Sequence, residues 1–156
     1  IAQALIEARL VQNKGEAFER LIGRGGPAYV ERAKLSPADG CRLIRRAGGL
    51  PVFAHPFIAL ASGRALEPMP VESSLPALVE AGLAGLEVYY SNYTPSLIER
   101  LLRLSRQYGL LVTGGSDFHG EGVAGAPLGG VYVPPKCLAA LKAAHQQASQ
   151  AAPEVN

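Results

Sequence analysis

The 156 residues are 48% hydrophobic and carry a formal net charge of +2, which is enough apolar mass for one globular domain with a real core and excludes a disordered chain. No basic run reaches five residues, so charge neither requires nor forbids a nucleic-acid partner. No apolar stretch approaches a membrane span and the start lacks a signal-peptide layout, so the expectation is a soluble, cytoplasmic protein with no membrane partner.

Ile1, Ala4, Leu5 and Ala8 keep a helical period from the first residue, which predicts a helix over residues 1–10 and points to a piece cut from a longer protein. Asn13 followed by Glu16 reads as an N-cap with its capping-box partner, and Ala17, Phe18, Leu21 and Ile22 supply the apolar stripe of a helix that Gly23 ends. Gly23-Arg24-Gly25-Gly26-Pro27 then makes a loop with one arginine, and Glu31 to Lys34 a charged stretch.

From Ser36 a pattern of helix, glycine and strand occurs three times. Ser36-Pro37 opens a helix to Ala47, Gly48-Gly49 stops it, and 50–54 reads as a strand. Ser73 or Ser74 is expected to cap a helix through Ala81, Gly82 ends it, and 85–90 is strand-like. Thr94-Pro95 starts a third helix that runs to Tyr108 and closes at Gly109 before a strand over 110–113. A last helix follows Pro134-Pro135, with His145 on its solvated surface. This is the grammar of an α/β fold with parallel strands. Of the two cysteines, Cys41 and Cys137, neither sits in a C-x-x-C spacing; reduced thiols are expected, with Cys41 as a small buried hydrophobe.

Polar residues gather at the carboxyl ends of the three strands: His55 after the first, Glu87, Tyr89, Tyr90 and Ser91 in or after the second, Ser116, Asp117 and His119 after the third. That edge is where ligands bind in parallel sheets and barrels. In extended backbone, residues i and i+2 point the same way, so Asp117 and His119 are expected to reach one site, and a carboxylate with imidazoles suits Mn, Fe or Zn. Alternatively, Asp117 caps a turn and His119 is an ordinary loop histidine. His55, in Ala54-His55-Pro56, is either a third donor or a histidine bonded to backbone. Glu87 is read as an outer partner of the donors, as a ligand itself, or as an acceptor for backbone amides inside the sheet, the first and last being favoured. Arg24 could grip a phosphate with help from free backbone amides around Gly25 and Gly26, or stand solvated on its turn. No P-loop, dinucleotide fingerprint or G-x-S-x-G elbow is present.

Ala54-His55-Pro56, Gly85-Leu86-Glu87-Val88-Tyr89-Tyr90 and Gly114-Gly115-Ser116-Asp117-Phe118-His119-Gly120, in this order and spacing, resemble the second half of the PHP (polymerase and histidinol phosphatase) domain phosphoesterases. The stretch from Gly23 to Val30 is similar to the helical insertion of the branch that hydrolyses nucleoside 3′,5′-bisphosphates and trims RNA from its 5′ end. The resemblance covers residues 1 to about 135 and implies the C-terminal part of a distorted (β/α)7 barrel, an α/β fold preceded by a helical insertion. Residues 1–35 would be the insertion, 36–150 the barrel half and 151–156 a polar tail.

The resemblance further implies up to three divalent metals, Mn, Fe or Zn, in the complete enzyme, with His55, Asp117 and His119 as ligands falling on different metals of the cluster and Asp117 and His119 also catalytic. Arg24 and Lys34 would hold a substrate phosphate, and Glu87 would support the ligands. The family's H-x-H pair, an aspartate, further histidines and a bridging glutamate have no counterpart here. The missing N-terminal half of the same chain is therefore the expected partner, a nucleotide or short oligonucleotide the expected substrate, and these residues alone are expected to be inactive. A histidinol-phosphatase-like or polymerase-associated PHP module is the alternative in the same fold. A non-catalytic α/β regulatory or assembly domain is the alternative of another class.

Overall fold

The computed structural model describes residues 1–31, 34–57, 70–120 and 126–151. Most of the predicted polar tail, 152–156, lies outside them, as do residues 32 and 33 of the charged stretch. The chain divides into two compact units, Ile1–Lys34 and Leu35–Asn156.

In the first unit, α1 (Ala2–Glu7) stops three residues short of the predicted end, because Arg9 turns into the left-handed region at φ 57°. The Asn13 side chain accepts the Glu16 N–H at 2.9 Å and starts α2 (Lys14–Ala17). The Glu16 carboxylate accepts from Gln12 N–H at 2.7 Å, one residue before the usual capping-box partner. The chain then widens into a π-helical stretch, Phe18–Ile22, closed by Gly23 N–H on Phe18 O at 2.8 Å. Gly23 is needed for space: a Cβ there would lie 2.1 Å from Phe18 O.

The second unit holds the three repeats. Ser36 caps α3 (Pro37–Arg46) by accepting the Asp39 N–H at 3.1 Å, and Thr94 caps the helix over Pro95–Tyr108 through Leu97 N–H at 3.3 Å. The predicted serine cap on the middle helix is wrong. That helix, α4, spans Val71–Glu80 behind Pro70, and Ser73 lies inside its first turn donating to Pro70 O at 3.1 Å. Burial of Val71, Leu75 and Leu78 places it instead of a cap. Pro95–Tyr108 is α5, closed by Gly109 in the left-handed region at φ 64°.

The strands β1 (Val52–Phe53), β2 (Gly85–Tyr90) and β3 (Leu111–Gly115) pair in parallel in the order β1-β2-β3. β1 is shorter than the predicted 50–54, since pairing stops where the chain turns at His55. β2 slips by one residue between Glu87 and Tyr89, so that Glu87 faces Thr113 while Tyr89 faces Gly114. A Cβ on Gly114 would sit 2.4 Å from Tyr89 O, so the bulge needs glycine opposite it. The core contains Val71 and Leu75 of α4, Leu86 and Val88 of β2, and Leu101 of α5, all fully buried, with Cys41 of α3 at its margin as expected. A final helix, α6 (Pro135–Ala151), packs on β3 and leaves His145 exposed. No described helix is long and apolar enough to cross a membrane.

Candidate active-site edge

His55, Tyr90 and Asp117 come together where the strands end. His55 sits two residues past β1 with φ 28°, and Asp117 two residues past β3 with φ 55°. Left-handed backbone in non-glycine residues carries strain, and such strain collects at binding sites. The His55 turn is held from β2 and the loop after it. Glu87 Oε2 accepts the His55 N–H at 2.6 Å, and the Tyr93 hydroxyl oxygen accepts the Phe57 N–H at 2.8 Å. Arg100 stacks its guanidinium 4.8 Å above the Phe57 ring while pairing with Glu72.

Burial pushes the Glu87 carboxyl up from its ordinary range, and the hydrogen bond from His55 N–H only partly offsets it. Burial likewise pushes the Tyr93 phenol up to about 12. Tyr90, the last residue of β2, donates its hydroxyl to Asp117 Oδ2 at 2.9 Å, and its ring lies 5.6 Å from the His55 ring and 5.1 Å from that of Tyr93. Its phenol is also pushed up to about 12, by burial first and then by the bond to Asp117.

Asp117 and His119 do meet, though not through extended backbone as expected. β3 stops at Gly115, and the left-handed turn at Asp117 lets the His119 ring fold back, Nδ1 lying 2.6 Å from Asp117 O and 3.7 Å from Asp117 Oδ1. A carbonyl oxygen only accepts, so Nδ1 carries the proton and the Nε2 lone pair is open to a ligand. Ser91 Oγ donates to Ser116 O at 2.8 Å and ties the turn to the end of β2. Beside this edge opens a cavity of about 340 Å3, lined by Tyr89, Tyr90, Ser91, Asn92 and Tyr132 among others.

Among curated proteins, a phosphoribosyl 1,2-cyclic phosphate 1,2-diphosphodiesterase of Eggerthella lenta is 33% identical over 104 residues, 67% of this chain and 36% of the relative. A 3′,5′-nucleoside bisphosphate phosphatase of Chromobacterium violaceum is 29% identical over 137 residues, 87% of this chain and 46% of the relative. Among solved structures, a protein from Bifidobacterium adolescentis assigned as a metal-dependent phosphoesterase superimposes with a TM-score of 0.69 at 30% identity, over 92% of this chain and 48% of its own. The chain belongs to the PHP phosphoesterase family. It spans less than half the length of these relatives. No protein-family profile matches it.

For a PHP protein the donors are right in kind. Asp117 is hydrogen-bonded by a neutral phenol instead of being neutralised by a lysine or arginine, and His119 presents an open nitrogen. They do not gather into a metal site: among the described residues no group of three His, Cys, Asp or Glu side chains could hold a metal ion. Arg24 and Lys34 belong to the first unit, both exposed, with the Lys34 ammonium 3.9 Å from the Glu31 carboxylate. The amide help expected around Arg24 is reduced, because Gly26 N–H already donates to Gly23 O at 2.8 Å. Nothing in the sequence marks Tyr93, and Tyr90 is marked only by its place at the end of β2.

Proposed function

We propose that this chain is the part of a divalent-metal-dependent phosphoesterase that carries His55, Asp117 and His119, and that the whole enzyme hydrolyses phosphate esters of nucleotides, such as nucleoside 3′,5′-bisphosphates or the 5′ ends of short RNA. The observation that carries this reading is the meeting of the Asp117 carboxylate and the His119 imidazole at the carboxyl edge of a parallel sheet, beside a cavity of substrate size, in a PHP chain.

Mn, Fe or Zn would be held by His55, Asp117 and His119 together with donors from the rest of the enzyme. When bound, such ions supply an activated water and neutralise phosphoryl oxygens. Glu87 supports the set by fixing the His55 backbone. Arg24 and Lys34 would grip the phosphate that is not cleaved, the Arg24 guanidinium through its planar fork. That second grip favours a bisphosphate over the small monoester of a histidinol-phosphatase-like module.

The test is a chimera in which this chain replaces the matching part of the Chromobacterium violaceum phosphatase. It should release phosphate from adenosine 3′,5′-bisphosphate with Mn2+, while the 156 residues alone should release little. Asp117→Asn in the chimera should cost more than the roughly 10–100-fold that losing an outer partner of a ligand costs, because an amide lacks the charge that holds the cation. Unchanged turnover would remove Asp117 from the chemistry, and full activity of the chain alone would refute the missing-donor argument.

A further inference from the structure

The cavity of about 340 Å3 beside the strand ends differs in chemistry from the edge itself. Among the described residues that line it none is charged, and Tyr89, Tyr90 and Tyr132 are joined there by the carboxamide of Asn92. A phosphate needs cations or free amide N–H groups, so this cavity suits the uncharged part of a ligand. Flat aromatic walls beside a group that both donates and accepts match a nucleobase, which offers a face to stack and an edge to bond. The cavity lies one side chain from the carboxylate at the edge, because Tyr90 lines it and donates to Asp117 Oδ2 at 2.9 Å. Asn92 stands on left-handed backbone at φ 66°, directly after Ser91, whose hydroxyl is fixed on Ser116 O at 2.8 Å. Beyond β3, a tight turn closed by Gly130 N–H on Pro127 O at 2.9 Å leads to Tyr132, whose side chain is outside the core and 78% exposed. So exposed a ring adds little to the fold and presents its face to a ligand.

We propose that this cavity binds the base of the nucleotide whose ester is hydrolysed, with Tyr132 as the stacking face and the Asn92 carboxamide bonded to the base edge. The inference rests on the nucleotide phosphoesterase reading above and adds to it the place and the residues of base recognition. An amide presents both an acceptor and a donor, and every base has a face to stack, so the site accepts bases of several kinds. The two contacts separate by substitution: Tyr132→Phe keeps the ring and Tyr132→Ala removes it, whereas Asn92→Gly removes the carboxamide at a position whose left-handed backbone glycine adopts without strain.

Titration of the full 156-residue chain with adenosine, followed by amide NMR shifts, tests this, since shifts register weak binding. Adenosine should shift the amides of Ser91, Asn92 and residues 130–132, and stacking should move its own base protons upfield. Ribose 5-phosphate, which has no base, should leave those amides in place. Tyr132→Ala should weaken adenosine binding roughly five- to 150-fold, the loss of one stacked base, while Tyr132→Phe binds as the unaltered chain does. Asn92→Gly should weaken it roughly two- to ten-fold, the loss of one hydrogen bond. Unshifted amides in β2 and α5 of each variant show that its fold is kept. A 5′-phosphorylated dinucleotide that binds much tighter than adenosine 5′-monophosphate assigns the site to RNA ends, and equal binding assigns it to mononucleotides; either supports a base site. Equal adenosine binding by Tyr132→Ala and the unaltered chain, or the same shifts with ribose 5-phosphate, overturns it. Phosphate release by the chimera reports the underlying reading separately. An active chimera, with no adenosine shifts in the chain, removes only this inference; an inactive chimera overturns the nucleotide reading and this inference with it.

Discussion

The interior of the second unit and the edge above it are built from the same strands under opposite rules. Inside, Leu86 and Val88 of β2 meet Leu75 and Leu101 in a fully buried core, the helices are capped by Ser36 and Thr94, and left-handed turns fall on glycines such as Gly82 and Gly109. A few residues further along, left-handed backbone falls on His55 and Asp117, a carboxylate is half-buried, and three aromatic rings stand in a row. Agreement among local preferences is what specifies a fold, and departures from it cluster where chemistry is done. The contrast therefore marks this edge as the candidate site independently of any ligand.

The sharpest way to test the contrast is to remove mass from the interior. Leu101 has no exposed surface, and Leu101→Ala leaves a cavity among side chains of α4, β2 and α5. The expected loss is about 2–5 kcal/mol in urea denaturation. A loss below about 1 kcal/mol would mean that the site can collapse and that the core does less to hold the sheet than its burial implies.

Next in size is Tyr93→Phe, which reaches the boundary between the two regions. Phe57 is buried, and its N–H has the Tyr93 oxygen as acceptor; leaving it unpaired costs about 1–3 kcal/mol at neutral pH. The pH dependence has a definite sign. The Tyr93 phenol is raised from 10.0 to about 12 in the folded chain, so between those values the unfolded state has lost the proton that the folded state keeps. Its contribution to stability therefore falls as pH rises through that window. The variant has no such group, and its deficit should narrow from pH 10 toward pH 12; a constant gap would show that Tyr93 titrates alike in both states.

The parts legible in sequence are those that depend on near neighbours. Ser36-Pro37, Thr94-Pro95 and the glycines at 48, 82 and 109 announce where helices begin and end, and the apolar runs between them give three strands whose ends carry His55, Glu87 and Asp117. Ser73 misleads because a serine near a helix start looks like a cap, while the burial of Val71 and Leu75 that fixes the true start is a tertiary fact. Long-range bonds are illegible for the same reason. Tyr93 reaches an amide 36 residues away and Tyr90 a carboxylate 27 away, and no local pattern encodes either. The turn at Asp117 is intermediate. Its glycine-rich surroundings announce a loop, but the left-handed backbone that brings His119 back over the Asp117 carbonyl replaces the extended geometry that spacing suggests.

The smallest expected effect is the most direct probe of the edge. Asp117→Gly relieves a left-handed conformation that costs an L-residue about 1–2 kcal/mol. Against that gain stand the hydrogen bond from Tyr90, worth about 0.5–1.5 kcal/mol, and the freedom glycine adds to the unfolded chain, about 0.5–1 kcal/mol. These offset one another, so the thermal midpoint should move little, by the equivalent of about 1 kcal/mol or less. Turnover in the chimera should be lost all the same, since no carboxylate remains. A residue kept in a costly conformation without return in stability is kept for what it binds. If Asp117→Gly instead destabilised the chain as much as Leu101→Ala does, Asp117 would be a structural tie of the sheet, and the division between a core that holds the fold and an edge that does the chemistry would fail.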